Sequence, residues 1–444
     1  MNFIKAKLLF ISLFFSLSLS SQNFDFVDGV IKNLKDSSFE KVFDKCHPDY
    51  KLYIKDISSI IHVWTEVTGK YGQYVSHRYI AYEIDSSNYG VYQYYQIELK
   101  LQYLPYILNI YTDMRNKITN IGFLSSAKVY TPPLHFDLNK IKEIKLKVGY
   151  DSLALNACLT IPKTSTKSSL VIIIGESGPT DKDFDYEPNK PYKDLAYMLS
   201  QQGFSVLRYD KRSVEYNLSL MSFYNLKRRF TPEEEYIFDI NKIITQMKAR
   251  SDIDTSKIYL LGHGQGGLIA SYMAKNSNDI KGVIMIGSHS MNTLANMVEQ
   301  YNYLKVMTPE KAPMYNDQTR HAKFALNGKF DENTPRDSMP FMVSPEYWIW
   351  MNNFDHVATT KQLNKPVLII NFGRDYQTGI KNYEIWQKKL KRTKDVSFLF
   401  YPKLNHIMME GENPSEYYEY YKKGNIPDYI SKDIADWLYK NKQK

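Results

Sequence analysis

The stretch Leu260-Leu261-Gly262-His263-Gly264-Gln265-Gly266-Gly267 joins an apolar run to a helical pattern through a dense set of glycines. Its centre fits G-x-S-x-G, the sharp strand-to-helix turn that lifts a nucleophilic serine above a sheet. Gly264 stands where the hydroxyl belongs. Downstream, Asp375 sits in the loop Gly373-Arg374-Asp375-Tyr376-Gln377, and His406 follows Leu404-Asn405. Nucleophile, acid and base in that chain order suit a relay: a carboxylate orients an imidazole, which takes a proton from the nucleophile. Asp375 and His406 are the candidate acid and base. Gly264 marks a nucleophile position without a nucleophile. Ser288 and Ser290 end a later apolar run but sit on no such turn, and His263 reads as a packing residue.

These residues need a scaffold. Apolar runs at 170–174, 205–209, 257–261, 282–286, 367–371 and 397–401 read as buried strands. Helical patterns alternate with them at 192–202, after Thr231, up to about Asn276, and at 430–439. Thr231, Pro232 and Glu234 form a capping box ahead of the stripe Tyr236, Ile240, Ile243 and Met247. The alternation predicts a mostly parallel sheet covered on both faces, opened by a hairpin over 144–161. Residues 288–360 break the rhythm and read as a lid. Ahead of this unit, residues 22–125 show helices, then Tyr- and Ile-rich strands, which predicts a small α+β domain. Residues 126–137, with Thr131-Pro132-Pro133, read as a linker.

The second unit, residues 138–444, resembles the α/β-hydrolase superfamily, nearest its secreted esterases of the dienelactone-hydrolase-like and serine-aminopeptidase-like group. The resemblance rests on segments 176–183 and 207–212, on Glu233-Glu234-Glu235-Tyr236, and on the three catalytic segments. It implies the α/β-hydrolase fold and ester hydrolysis without a cofactor or metal. It also implies an oxyanion hole from the backbone N–H groups of Gln265 and the Glu176-Ser177 region. The first domain resembles the NTF2-like modules that precede such hydrolases.

Two residues depart from the family at the chemistry. Gly264 lacks the hydroxyl, and Glu176 stands where a small residue is usual. Ser213 is a milder change. A carboxylate at Glu176 either faces the pocket, opposing an oxyanion, or turns to solvent. Glycine relieves the strain of a positive φ at the turn, so a protein released from catalysis gains by the change. Two functions remain open: a ligand- or partner-binding protein that has lost serine catalysis, or a hydrolase in which His406 and Asp375 activate water in the space at Gly264. On either reading, Gly264→Ser is expected to create ester hydrolysis if the acid and base are aligned. The expected ligand is a small acyl or ester-type molecule.

Composition sets the outer limits. Net charge is +9, but the basic residues are scattered, without a stripe interleaved with aromatics, which argues against nucleic-acid binding. Residues 1–21 read as an export leader, with Lys5 and Lys7 ahead of a short apolar run and no cysteine after it. The mature chain is expected to be secreted or periplasmic, without stable membrane insertion. Cys46 and Cys158 are expected to be separately buried thiols, and no metal-ligand spacing occurs.

Overall fold

The computed structural model describes residues 21–442, apart from 88–89, 104, 126–129, 135, 151–152, 164–166, 187 and 217–229. Of residues 1–21, read from the sequence as a leader, 1–20 lie outside the described residues. The chain divides into two compact units, Met1–Ser126 and Ala127–Lys444.

In the first unit, four helices precede four strands. They are α1 (Ser21–Lys35), α2 (Phe39–Asp44), α3 (Pro48–Ile54) and α4 (Ser58–Tyr71). Strands β1 (Tyr74–Ser87), β2 (Gly90–Leu101), β3 (Pro105–Asp113) and β4 (Ile118–Ser125) form an antiparallel meander in sequence order. Val27, Val30, Ile31 and Leu34 recur at helical spacing on α1 and are all buried. Each contributes roughly 1.5–3 kcal/mol by leaving water. Along β2, Tyr95, Ile97, Leu99 and Leu101 alternate inward, so this sheet buries one face.

The second unit opens with the hairpin β5 (Ile141–Tyr150) and β6 (Leu153–Pro162). There follow β7 (Ser168–Ile174), α5 (Pro191–Gln201), β8 (Ser205–Tyr209), α6 (Phe238–Lys248), β9 (Ile253–His263), α7 (Gln265–Asn276) and β10 (Ile280–Ile286). The insertion carries α8 (Thr293–Met307), α9 (Ala312–Leu326) and α10 (Pro345–Asn353). Then β11 (Val367–Phe372), α11 (Gly379–Leu390), β12 (Val396–Tyr401) and α12 (Asp428–Lys442) complete the unit.

The eight strands lie in the order β12-β11-β10-β9-β7-β8-β6-β5, and only the pairings of β6 are antiparallel. Every residue of β7 and β11 is buried, as a sheet covered on both faces requires. The capping box forms: Thr231 donates its N–H to Glu234 Oε2 at 2.8 Å, and its Oγ1 accepts from Glu233 N at 3.2 Å. A π-helical turn over Glu233–Ile237 precedes α6. The stretch read as linker is partly tied down: Tyr130 Oη donates to Asp194 at 2.7 Å, and Asp137 N to Gln201 at 2.9 Å. Cys46 and Cys158 are free and buried. Among the described residues, no helix is long and apolar enough to cross a membrane.

Candidate active site

Gly264 links the end of β9 to the start of α7 at φ +53° and ψ −120°. The other glycines of the turn serve close packing. A Cβ on Gly262 would lie 2.2 Å from the Gly266 carbonyl oxygen, and one on Gly266 would lie 2.4 Å from that of Ile174. Gly264 meets something different. A Cβ there would lie 1.4 Å from Glu176 Oε2. The carboxylate of Glu176 therefore occupies the ground a serine side chain would need.

The acid and base come together as the sequence suggests. His406 Nδ1 lies 2.8 Å from Asp375 Oδ2, and both side chains are buried. Asp375 is held by Thr378 Oγ1 at 2.6 Å on Oδ2 and by the N–H groups of Gln377 and Thr378 on Oδ1. On its far side, His406 Nε2 lies 2.9 Å from Glu176 Oε2. Its imidazole thus bridges two carboxylates and donates to both. Burial alone would favour the neutral ring, but Asp375 and Glu176 outweigh it and push the His406 pKa up to about 10. Burial likewise opposes ionisation of Glu176 and Asp375, but His406 and neighbouring donors hold both below the ordinary carboxylate range.

The oxyanion donors are occupied too. Glu176 Oε1 accepts from Gln265 N at 3.1 Å and from Ser177 N at 2.5 Å. The third N–H assigned to that role, on Glu176 itself, is committed elsewhere: it donates to Tyr192 Oη at 3.2 Å. Glu176 thus fills both the nucleophile's place and the oxyanion's place with one carboxylate.

This geometry bears on two expectations. The carboxylate of Glu176 lies 2.9 Å from His406 Nε2, on the ground that a water molecule activated by His406 would need beside Gly264. A serine introduced by Gly264→Ser alone would need the Glu176 side chain to move before it could reach His406. The question left open about Glu176 is answered as well, because its side chain faces the site.

Residues to which sequence reasoning gave no role hold this arrangement. Lys211 is 1% exposed, and its Nζ donates to the carbonyls of Glu176 and Gly178, each at 2.7 Å, and to Glu235 Oε1 at 2.7 Å. Glu235 Oε2 accepts from Tyr347 Oη at 2.6 Å, and Tyr347 Oη accepts from the side chain of Gln265. One buried chain of hydrogen bonds thus runs from the oxyanion loop to the lid and back to the turn. Lys211 and Glu235 lie within segments the sequence singles out; a charged residue next to a buried strand is the signal that could have found Lys211.

His263 is fully buried, 3.0 Å from Tyr192 Oη and 2.9 Å from the His406 carbonyl oxygen. Burial pushes its pKa down to about 4. Glu176, His263 and His406 offer ligand atoms within 4.8 Å of one another, as a metal site would. Every ring nitrogen of the two histidines is engaged in a hydrogen bond within the protein. Ser288 and Ser290 are buried. Ser288 Oγ approaches the Ile286 carbonyl at 3.4 Å, and Ser290 Oγ donates to that of Asn382 at 2.8 Å. Neither replaces the missing nucleophile. Ser213 Oγ donates to the Gly178 carbonyl at 3.4 Å.

A cavity of about 450 Å³ opens from Glu176, Gly264 and His406 toward the lid, walled by Phe230, Met297, Phe341, Val343, Tyr347 and Trp348. The size suits a small-molecule ligand.

The family model for serine aminopeptidase, S33, matches residues 187–317. The strand order places the turn, the acid loop and the histidine loop at the ends of β9, β11 and β12. The fold is that of an α/β-hydrolase. The chain is 29% identical over 413 residues to Esterase EstD of Thermotoga maritima, covering 92% of this chain and 94% of that protein. Coverage that wide takes in much of the first unit as well. Among solved structures it is similar to Est1E from Butyrivibrio proteoclasticus, at 18% identity and a TM-score of 0.44, covering 68% of this chain and 99% of that one. It is also similar to the Pyrococcus furiosus esterase Pf2001, at 12% identity and a TM-score of 0.44, covering 71% and 99%.

Proposed function

We propose that this esterase-like α/β-hydrolase no longer performs serine-based acyl transfer and instead binds a small acyl or ester-type molecule beneath its lid. The observation that carries this reading is the carboxylate of Glu176, seated on the oxyanion donors and on His406 where a nucleophile would stand. A negative charge fixed there opposes the negative charge that acyl transfer develops. The similarity to Esterase EstD supports an ester-type ligand. We further read residues 1–21 as a leader that directs export, and the first unit as an NTF2-like module. Mass spectrometry of the mature N-terminus tests the leader.

The function is tested with a serine-directed fluorophosphonate and a p-nitrophenyl ester. The wild-type protein is expected neither to take the label nor to turn over the ester. Labelling of any residue in the wild type overturns the proposal.

A further inference from the structure

An esterase centre is built to receive negative charge. Here two buried carboxylates, Asp375 and Glu176, flank one imidazole. Even with that imidazole protonated, the trio carries one net negative charge. Glu235 is balanced by Lys211 at 2.7 Å and adds nothing to that sum. Among the described residues lining the cavity there is no Lys or Arg. Among the described residues, the lining thus brings no cationic side chain to that charge, which the N–H groups of Gln265 and Ser177 also stabilise.

The walls point the same way. Phe230, Phe341, Tyr347 and Trp348 supply aromatic surface, which favours cations through the negative faces of the rings. Trp348 is 3% exposed and offers the cavity an aromatic wall.

We propose that the cavity selects a small ligand with a cationic amine head, seated toward Glu176, on an apolar or aromatic body, and rejects the corresponding carboxylate. This rests on the reading that Glu176 permanently holds the oxyanion donors. The preference is then the inverse of that of a hydrolytic centre, where a product acid can occupy those same donors. Two charges of opposite sign gain, and two of like sign lose, in a site where water screens poorly.

The test is calorimetric titration of the full chain with 4-phenylbutylamine, 4-phenylbutanol and 4-phenylbutanoate, which differ only in the head group. The wild type is expected to bind the amine at least about tenfold more tightly than the acid, with the alcohol between them. Glu176→Gln keeps the shape and removes the charge, so the ratio is expected to fall by about the same factor. Val343→Trp, on the cavity wall, is expected to abolish binding of all three. Because that variant leaves the buried network untouched, it locates the ligand even if Glu176→Gln folds poorly. Equal affinities, tighter binding of the acid, no amine binding, or amine binding that survives Val343→Trp each overturn the proposal. Ester turnover by the same wild-type sample reports separately on the silencing of the centre.

Discussion

The two ends of the line from Asp375 through His406 to Gly264 are built differently. At one end, Asp375 and His406 keep the arrangement of a working acid and base, with a 2.8 Å hydrogen bond and a carboxylate held by three further donors. At the other end, the hydroxyl is gone and a carboxylate from the neighbouring loop has taken its place. The difference teaches that one set of donors can hold a side chain of the protein in place of a reacting group. Two N–H groups and an imidazole still converge on one point, and what they hold is now part of the protein. Loss of a nucleophile alone would have left a buried cluster of donors unsatisfied, which is costly. Glu176 satisfies all of them, and only a glycine at 264 makes room for it.

The sharpest way to break that comparison is to restore the nucleophile end in two steps. Gly264→Ser alone is expected to stay inert toward p-nitrophenyl esters, because Glu176 must abandon its partners before the serine can fit. Glu176→Gly with Gly264→Ser is expected to hydrolyse them at least about a thousandfold faster than either single variant, since a complete relay is worth up to ~10⁶ in turnover. A double variant no better than Gly264→Ser would show that the acid and base end has decayed too.

The second test acts on the scaffold that holds the altered end. Lys211→Met keeps the stem but removes the ammonium that ties the oxyanion loop to Glu235. It leaves Glu235 buried without its counter-charge, and is expected to cost about 3–5 kcal/mol of stability, read by chemical denaturation. A loss below about 1 kcal/mol would mean that the Lys211 ammonium does not hold the loop.

A third test titrates the junction between the two ends. The His406 pKa is raised in the folded protein to about 10, above the ~6.5 of an unfolded chain. Its contribution to stability is therefore complete below about pH 6.5 and is lost as pH rises through about 10. Glu176 and Asp375 are depressed, so their contribution is present above 4.5 and 3.8 and is lost as pH falls through their folded values. Glu176→Gln is expected to bring the His406 midpoint down by at least about one pH unit, measured by NMR of the imidazole, because one of its two carboxylates is gone. An unmoved midpoint would mean that Asp375 alone holds the proton.

Much of the line was legible before any coordinates. Strand-like runs placed the turn, Asp375 and His406 at strand ends, and the order of the three did the rest. The direction of Glu176 was not legible, because its neighbour in space is remote in sequence and the clue is an absence, the missing Cβ of Gly264. Read separately, the two departures look like two losses. Read together, one accommodates the other. In the first unit, β1 and α4 went unread. Tyr74–Ser87 mixes polar residues on a sheet that buries a single face, and the apolar stripe of α4 is broken by polar residues. The helix Gly379–Leu390 was missed because it buries only a narrow stripe of Asn382, Trp386 and Leu390. Tyr347 was legible only as part of a lid, since nothing in its local pattern pairs it with Glu235 or Gln265.

Tyr347→Phe probes how far the lid supports the altered end, and it carries the smallest expected effect. The hydroxyl accepts from the Gln265 side chain and donates to Glu235 at 2.6 Å, so removing it leaves one donor and one lone pair without partners. The expected cost is about 1.5–3 kcal/mol, because one of the two bonds is to a charged group. Gln265 also supplies the N–H that holds Glu176 at 3.1 Å, but that N–H belongs to the backbone at the start of α7 and does not depend on the side chain. In the background of Glu176→Gly with Gly264→Ser, Tyr347→Phe is therefore expected to lower ester turnover by less than about tenfold while lowering stability as in the wild type. A fall of a hundredfold or more would place the lid tyrosine in the catalytic line and make the restored centre a three-element site instead of two.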